Sequence, residues 1–211
     1  ARMRADVKAL DSYDAKKAAA LFEKFVKNQT WQCPTLTVLR SSAYLDDNRF
    51  TSDGRIRYMP MQIRNRWIQR VNSINRDFSD QKRVFQKEIL IVGAMNRARV
   101  PIIAGTDTGN PFCFPGFSLH DELALLVIAG LSPMEALQTA TINPAKYLGM
   151  EQSLGSIEKG KLADIVLLDA DPLQEIKNTQ KIDSVIENGR LYDRKALNRM
   201  LSEAEGRAGI R

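Results

Sequence analysis

The chain is poor in the side chains that hold transition metals: its 211 residues include one histidine, His120, and two cysteines, Cys33 and Cys113. Zinc usually takes three or four protein ligands, so one imidazole cannot seed a histidine-rich metal site from this sequence alone. The cysteines lie far apart and outside any Cys-x-x-Cys spacing, which argues against a zinc knuckle or a disulfide framework. Each reads as a small buried or pocket-lining hydrophobe. No apolar run approaches the roughly 20 residues of a membrane span, and the N-terminus lacks the apolar segment of a signal peptide. No membrane partner is expected, and the compartment stays open. A phosphate-binding glycine loop and a Gly-x-Ser-x-Gly elbow are also missing. With the lone histidine beside no motif-borne nucleophile, Ser/His/Asp catalysis is disfavoured.

What is present supports a packed core, since 44% of residues are hydrophobic and 27% charged, close to globular averages. The net charge of +6 is uneven: residues 1–100 carry 20 Lys and Arg against 10 Asp and Glu, the remainder 11 against 15. The basic residues of the first half, among them Arg64, Arg70, Lys82 and Arg97, are spread through helical patterns, with no dense tract and no interleaved aromatic platform. They read as solvated helix faces, and no nucleic-acid partner is expected.

Periodicity places the elements. Ala19, Phe22, Phe25 and Val26 predict a helix over 15–27 closed by Asn28. Residues 34–39 read as β-rich, and 41–60 as a polar active-site loop. Helices are expected at 61–71 and 80–96, the second with Val84, Phe85, Ile89, Val92 and Met95 on one side. Val100, Ile102 and Ile103 then form a short apolar run, the pattern of a buried parallel strand. It delivers Asp107 into a turn flanked by Gly105 and Gly109. The following loop, with Phe112, Phe114 and Phe117 between prolines, suits a pocket wall. Capping chemistry accounts for Ser118 with Asp121, for Ser132-Pro133 with Glu135, and for Asn143-Pro144, while Gly149 supplies a left-handed terminus. Beyond it the pattern changes to short strands at 155–157, 163–168, 184–186 and 190–192, with Asn188-Gly189 marking a hairpin. A polar helix is expected over 194–208.

An ordered series carries a family resemblance: Val100-Pro-Ile-Ile-Ala-Gly-Thr-Asp107-Thr-Gly109, Ser118-Leu-His120-Asp121-Glu122, Ser132-Pro-Met-Glu135-Ala-Leu, Asn143-Pro-Ala145, Leu154-Gly-Ser-Ile157, Lys161-Leu-Ala-Asp164 and Glu187-Asn-Gly189-Arg190. In this order it resembles the C-terminal part of the amidohydrolase superfamily, in its imidazolonepropionase-like and Xaa-Pro dipeptidase-like branch. The resemblance runs from about Val100 to Tyr192, with Trp31-Gln-Cys-Pro34-Thr35-Leu36 similar to the strand before the last. It implies an α/β fold: the last strands and helices of a metal-dependent hydrolase (β/α) barrel over 1–148, part of a small β-sandwich over 149–193, and a C-terminal helix or tail over 194–211.

The same resemblance assigns chemistry. Asp107 is similar to the last-strand aspartate that contacts the catalytic metal and takes a proton from metal-activated water, so it is the expected catalytic residue and metal ligand. Thr108, Asn110 and His120 are expected substrate contacts. The family's His-x-His pair and its other histidines have no counterpart here. A complete barrel takes roughly 250 residues, and the chain opens on Ala1-Arg-Met-Arg. Both features fit the C-terminal fragment of a longer enzyme that hydrolyses amide or cyclic amide bonds in Xaa-Pro dipeptides or imidazolone-type rings. The divalent metal, zinc by the resemblance, would belong to the full-length form, with none held tightly here and no activity in isolation. The expected partners are the missing N-terminal part, a small-molecule or dipeptide substrate, and further copies of the chain, since an open half-barrel exposes strand edges. A non-catalytic binding or assembly module that keeps the fold without the metal site stays open as the alternative.

Overall fold

The computed structural model describes residues 2–74 and 77–209. Two helices open the chain, α1 (Arg2–Asp11) and α2 (Ala15–Lys27). Asp14 caps α2, its side chain accepting from the Lys16 and Lys17 amides at 2.8 and 3.0 Å. The helix turns Ala18, Phe22 and Phe25 to the core and leaves Ala19 and Val26 exposed, so the stripe is shifted by about one position from the sequence expectation. Next comes a parallel contact reduced to one bridge: Gln32 faces Ile102, the Gln32 amide donating to Pro101 O at 2.9 Å and the Ile103 amide to Gln32 O at 2.9 Å. The direction is the expected one for neighbouring barrel strands, but the ladder is one rung long. Its other edge is also engaged, because Asn143 Nδ2 donates to Ile102 O at 2.8 Å and the Ala104 amide to Thr139 O at 2.9 Å.

Residues 34–39, expected to be β-rich, instead enter a helix, α3 (Leu36–Ala43). Three aliphatic residues, Leu36, Val38 and Leu39, and two threonines suit either state locally, and tertiary contacts at the helix start decide it. The segment 44–60, expected as an irregular loop, holds a short helix, α4 (Asn48–Thr51), and a 3-10 turn at Gly54–Tyr58. Asp47 and Asp53 nucleate these by accepting from the amides two residues on, at 2.9 Å in both cases. Helices α5 (Met61–Asn72) and α6 (Ser79–Arg97) follow as the periodicity predicts. On α6, Phe85, Ile89, Val92 and Met95 are buried at helical spacing. They meet α7 (Ser118–Ala129) so closely that a Cβ on Gly93 would lie 2.1 Å from Ala129 O.

Two apolar clusters result. The main one joins α2, α3, α6 and α7 around Leu36, Ile102 and Leu126. The second gathers Leu45, Met59, Trp67, Phe78, Phe112 and Phe114. Phe112 and Phe114 are each 1% exposed, so these two phenylalanines, expected as exposed pocket walls, are core residues that fasten the loop after Asp107 to α5.

Capping is as expected at α8 (Pro133–Thr139), where Ser132 and Glu135 form a reciprocal box. It differs at two other helices. Phe117, not Ser118, precedes α7, and Ser118 is fully buried with no partner for its hydroxyl among the described residues. Asn143 lies inside α9 (Ile142–Tyr147), where its amide clamps Ile102 rather than capping the helix. Gly149 takes the expected left-handed conformation after α9. An antiparallel meander follows, β1 (Ile165–Leu168), β2 (Ile182–Glu187) and β3 (Arg190–Tyr192), with the Asn188-Gly189 hairpin between the last two. The expected strand at 155–157 does not form. A second 3-10 helix, Ile176–Gln180, anchors the meander to α7, and α10 (Arg194–Gly209) closes the chain. Among the described residues no helix is long and apolar enough to cross a membrane.

Candidate active site

Asp107 follows the Ile102 rung by five residues, at the C-terminal end of that short extended segment. Its φ is +50°, a left-handed conformation that aspartate tolerates better than most residues, and Gly109 continues the turn at φ +104°. The turn is closed from within. Asn110 Nδ2 donates to Asp107 O at 3.0 Å, and the Thr106 and Thr108 hydroxyls lie 3.4 Å apart. Among the described residues the Asp107 carboxylate enters no hydrogen bond or ion pair, and the residue is exposed. A carboxylate that is built into a turn yet left unpaired is available to a metal, a water molecule or a substrate. Thr108 and Asn110 share that turn, so three of the four expected site residues are brought together.

The fourth, His120, sits on the first turn of α7, and its Nδ1 is 3.0 Å from Thr179 Oγ1. The threonine hydroxyl has one proton, which it gives to Ile176 O at 2.8 Å, so it accepts from an Nδ1–H. That leaves Nε2 as the free acceptor of a neutral ring. Burial holds the His120 pKa below the usual value, against the opposing pull of Asp121. The imidazole thus ties α7 to the Ile176–Gln180 helix and shares no hydrogen bond with the Asp107 turn.

Two carboxylates beside it have roles the sequence did not show: Asp121, expected to cap α7 with Ser118, makes ion pairs instead, and Glu122 was assigned none. Asp121 accepts from Arg40 Nη2 at 3.1 Å and Arg55 Nη1 at 2.9 Å, and Arg55 also reaches Asp53 at 2.7 Å. This alternating network pins α3, the Gly54–Tyr58 turn and α7 together. Glu122 is wholly buried. Its oxygens accept from the Leu36 amide at 3.0 Å, the Thr37 amide at 2.7 Å and the Thr37 hydroxyl at 2.8 Å, capping α3 from another helix. Burial raises its pKa, against the lowering by those three donors. The available signal was positional: Glu122 stands four and seven residues before Leu126 and Ala129, on the buried face of an apolar helix.

A cleft of about 380 Å³ opens nearby, with Arg40, Arg49, Arg55, Asp53 and Phe50 on its walls, but Asp107 does not line it. Its arginines are each paired to carboxylates, so it offers no excess charge. Cys113 is fully buried as expected, which pushes its thiol up to about 12; Cys33, expected to be buried or pocket-lining, is instead exposed, and partial desolvation with the nearby Glu122 charge still raises its thiol, so neither is poised as a thiolate. Among the described residues no group of three or more His, Cys, Asp or Glu could hold a metal ion. The metal implied by the sequence resemblance therefore does not fit the residues of this chain alone.

Comparison with known proteins places these features. Imidazolonepropionase of Shouchella clausii is 36% identical over 102 residues, covering 46% of this chain and 23% of the relative. Among solved structures, a Xaa-Pro dipeptidase with methionine bound in its active site matches with a TM-score of 0.58 and 25% identity, covering 82% of this chain and 36% of that one. A bottromycin amidohydrolase gives 0.66 at 24% identity, covering 85% and 40%, a likeness of fold. The chain thus spans about a quarter of the first curated relative and well under half of these structures. The architecture is that of amidohydrolase (β/α)-barrel proteins in part. A model of the amidohydrolase family matches residues 36–192, most of the chain, and the chain belongs to that family.

Proposed function

We propose that this chain is the C-terminal portion of an amidohydrolase that cleaves amide or cyclic amide C–N bonds, with Asp107 as proton acceptor for the attacking water. The reading is supported above all by one observation: an unpaired, exposed carboxylate in a closed turn at the end of the Gln32–Ile102 rung, inside the family match. General-base work needs a carboxylate within hydrogen-bond reach of water and not neutralised by a neighbouring cation, and Asp107 meets the second condition here. Thr108 and Asn110, in the same turn, and His120, through its free Nε2, are the proposed substrate contacts. Xaa-Pro dipeptides and imidazolone-type rings are the proposed substrates, since the dipeptidase structure and the imidazolonepropionases are among the proteins this chain resembles.

The residues present supply one carboxylate where a metal site needs three or four protein ligands. We assign the remainder to a segment of the same enzyme outside this chain, which is also its proposed partner. The test compares the 211-residue chain with a longer reading frame that contains it. Both are assayed on Xaa-Pro dipeptides and on imidazolonepropionate with zinc, manganese or cobalt added, and bound metal is counted by mass spectrometry. Turnover and stoichiometric metal in the longer protein only are expected. Metal-dependent turnover by the 211-residue chain itself would overturn the division of labour, and none in either would favour the non-catalytic module.

A further inference from the structure

We propose that Glu122 is the positioning residue for Asp107: capping α3 from α7, it fixes Thr35 against Gly105 and so sets where the Asp107 turn begins. The first step is the cap. Thr35, at the N-cap of α3, has φ +49° and makes no capping bond with its own side chain. Glu122 does that work from a distance, binding the Leu36 and Thr37 amides and the Thr37 hydroxyl with both oxygens. Among the described residues it has no ion-pair partner. A buried carboxylate is a costly cap, and a local Ser, Thr or Asn would satisfy the same donors with less desolvation. What Glu122 adds is a link between two elements 85 residues apart in sequence.

The second step is the contact with the strand end that carries Asp107. A Cβ on Gly105 would lie 2.4 Å from Cys33 Sγ and 3.3 Å from Thr35 Cγ2, so the segment leading to Asp107 runs hard against 33–35. Gly105 is two residues before Asp107. Further along α3, the Ser41 hydroxyl donates to Pro111 O, holding the far side of the same loop. Helix α3 therefore touches the Asp107 loop on both sides, and Glu122 fixes where that helix starts. Moving its first turn moves Thr35, and with it the surface on which Gly105 rests.

The experiment uses the 211-residue chain and nuclear magnetic resonance. In Glu122→Gln one oxygen is lost and an NH2 is set against N–H donors. The cross-relaxation between the Thr35 methyl and the Gly105 α-protons should fall about twofold, as a shift of a few tenths of an ångström between protons in contact requires through the inverse sixth-power distance dependence. The amide signals of residues 105–110 should move with it. Ser132→Ala, which breaks the α8 capping box, is the control for lost stability alone and leaves these signals in place. If Glu122→Gln does not fold, Thr37→Val, which removes one donor of the three, is read on the same signals.

Unmoved 105–110 signals in the folded variant overturn the proposal. Its catalytic consequence rests on the function proposed above: in the longer enzyme kcat falls roughly 10- to 100-fold with KM little changed, since small misplacements of a catalytic group cost that much. The resonance measurement needs no turnover. An inactive longer protein whose 105–110 signals still move with Glu122 would sink the functional reading and leave the positioning role standing.

Discussion

Glu88 makes the stability of this chain depend on pH in a direction opposite to that of most carboxylates. It lies on α6 in a groove beneath α1, lined also by Asp6, Leu10, Tyr13, Val84 and Ile91. Burial, and then the like charge of Asp6, push its pKa from 4.5 to about 7. Lys87, which lines the same groove, is turned over the Tyr13 ring at 3.7 Å, and Glu88 has no ion-pair partner among the described residues. The folded chain thus holds the Glu88 proton more tightly than the unfolded chain does. The associated stabilisation is complete below pH 4.5 and is lost as pH rises through about 7. At about 1.36 kcal/mol per pH unit, this rise corresponds to roughly 3 kcal/mol. Partial exposure and solvent entry beneath a terminal helix reduce this to about 1–2 kcal/mol. For a chain of this size that is roughly 2–8 °C in Tm. The assay is thermal unfolding by circular dichroism from pH 4.5 to 8, for the parent and for Glu88→Gln, which is uncharged throughout. The variant should gain on the parent steadily across that range. Parallel curves, or a parent that gains relative to the variant as pH rises, would refute the argument that Glu88 is buried against α1 in its neutral form.

Three further outcomes follow from the packing and the site. In the longer enzyme, Asp107→Asn should lower kcat by roughly 10²- to 10⁴-fold with Tm unchanged, because the carboxylate it removes is unpaired; near-normal turnover would sink the role. Gly93→Ala drives a Cβ to 2.1 Å from a backbone oxygen of α7, and the clash should outweigh the helix propensity of alanine, costing about 1–3 kcal/mol in denaturant unfolding. Asp121→Asn should cost about 2 kcal/mol, since it weakens the shared acceptor of Arg40 and Arg55, and a variant as stable as the parent would show that Asp53 alone holds the network.

Elements whose apolar period is complete in themselves were legible in the sequence. Helices α2, α5 and α6 fall within two residues of expectation, as does the Asn188-Gly189 hairpin, because each is decided by spacing and by local turn chemistry. The stretch at 34–39 was not legible, because its helix is started by a carboxylate supplied from residue 122. The same physics hid the site's support. Asp107 announces itself through flanking glycines, whereas Glu122 does its work through partners that no local window contains. Phe112 and Phe114 misled for a related reason: a proline-rich aromatic loop reads as exposed until Trp67, more than forty residues earlier, is brought beneath it.

Open strand edges, expected of a half-barrel, differ from one part of the structure to the other. On the Ile102 segment both edges are occupied, one by Gln32 and the other by Thr139 O and the Asn143 amide, so its backbone is not a bare template for another strand. The meander is different. Among the described residues β1 pairs only with β2, and its successive residues Val166 and Leu167, which point to opposite faces of the strand, are 53% and 44% exposed. This sheet has, among the described residues, apolar side chains open on both faces, and both its outer strands, β1 and β3, are paired on one side only. Among the described residues, the strand edges without a backbone partner therefore lie on the meander and not on the Ile102 segment.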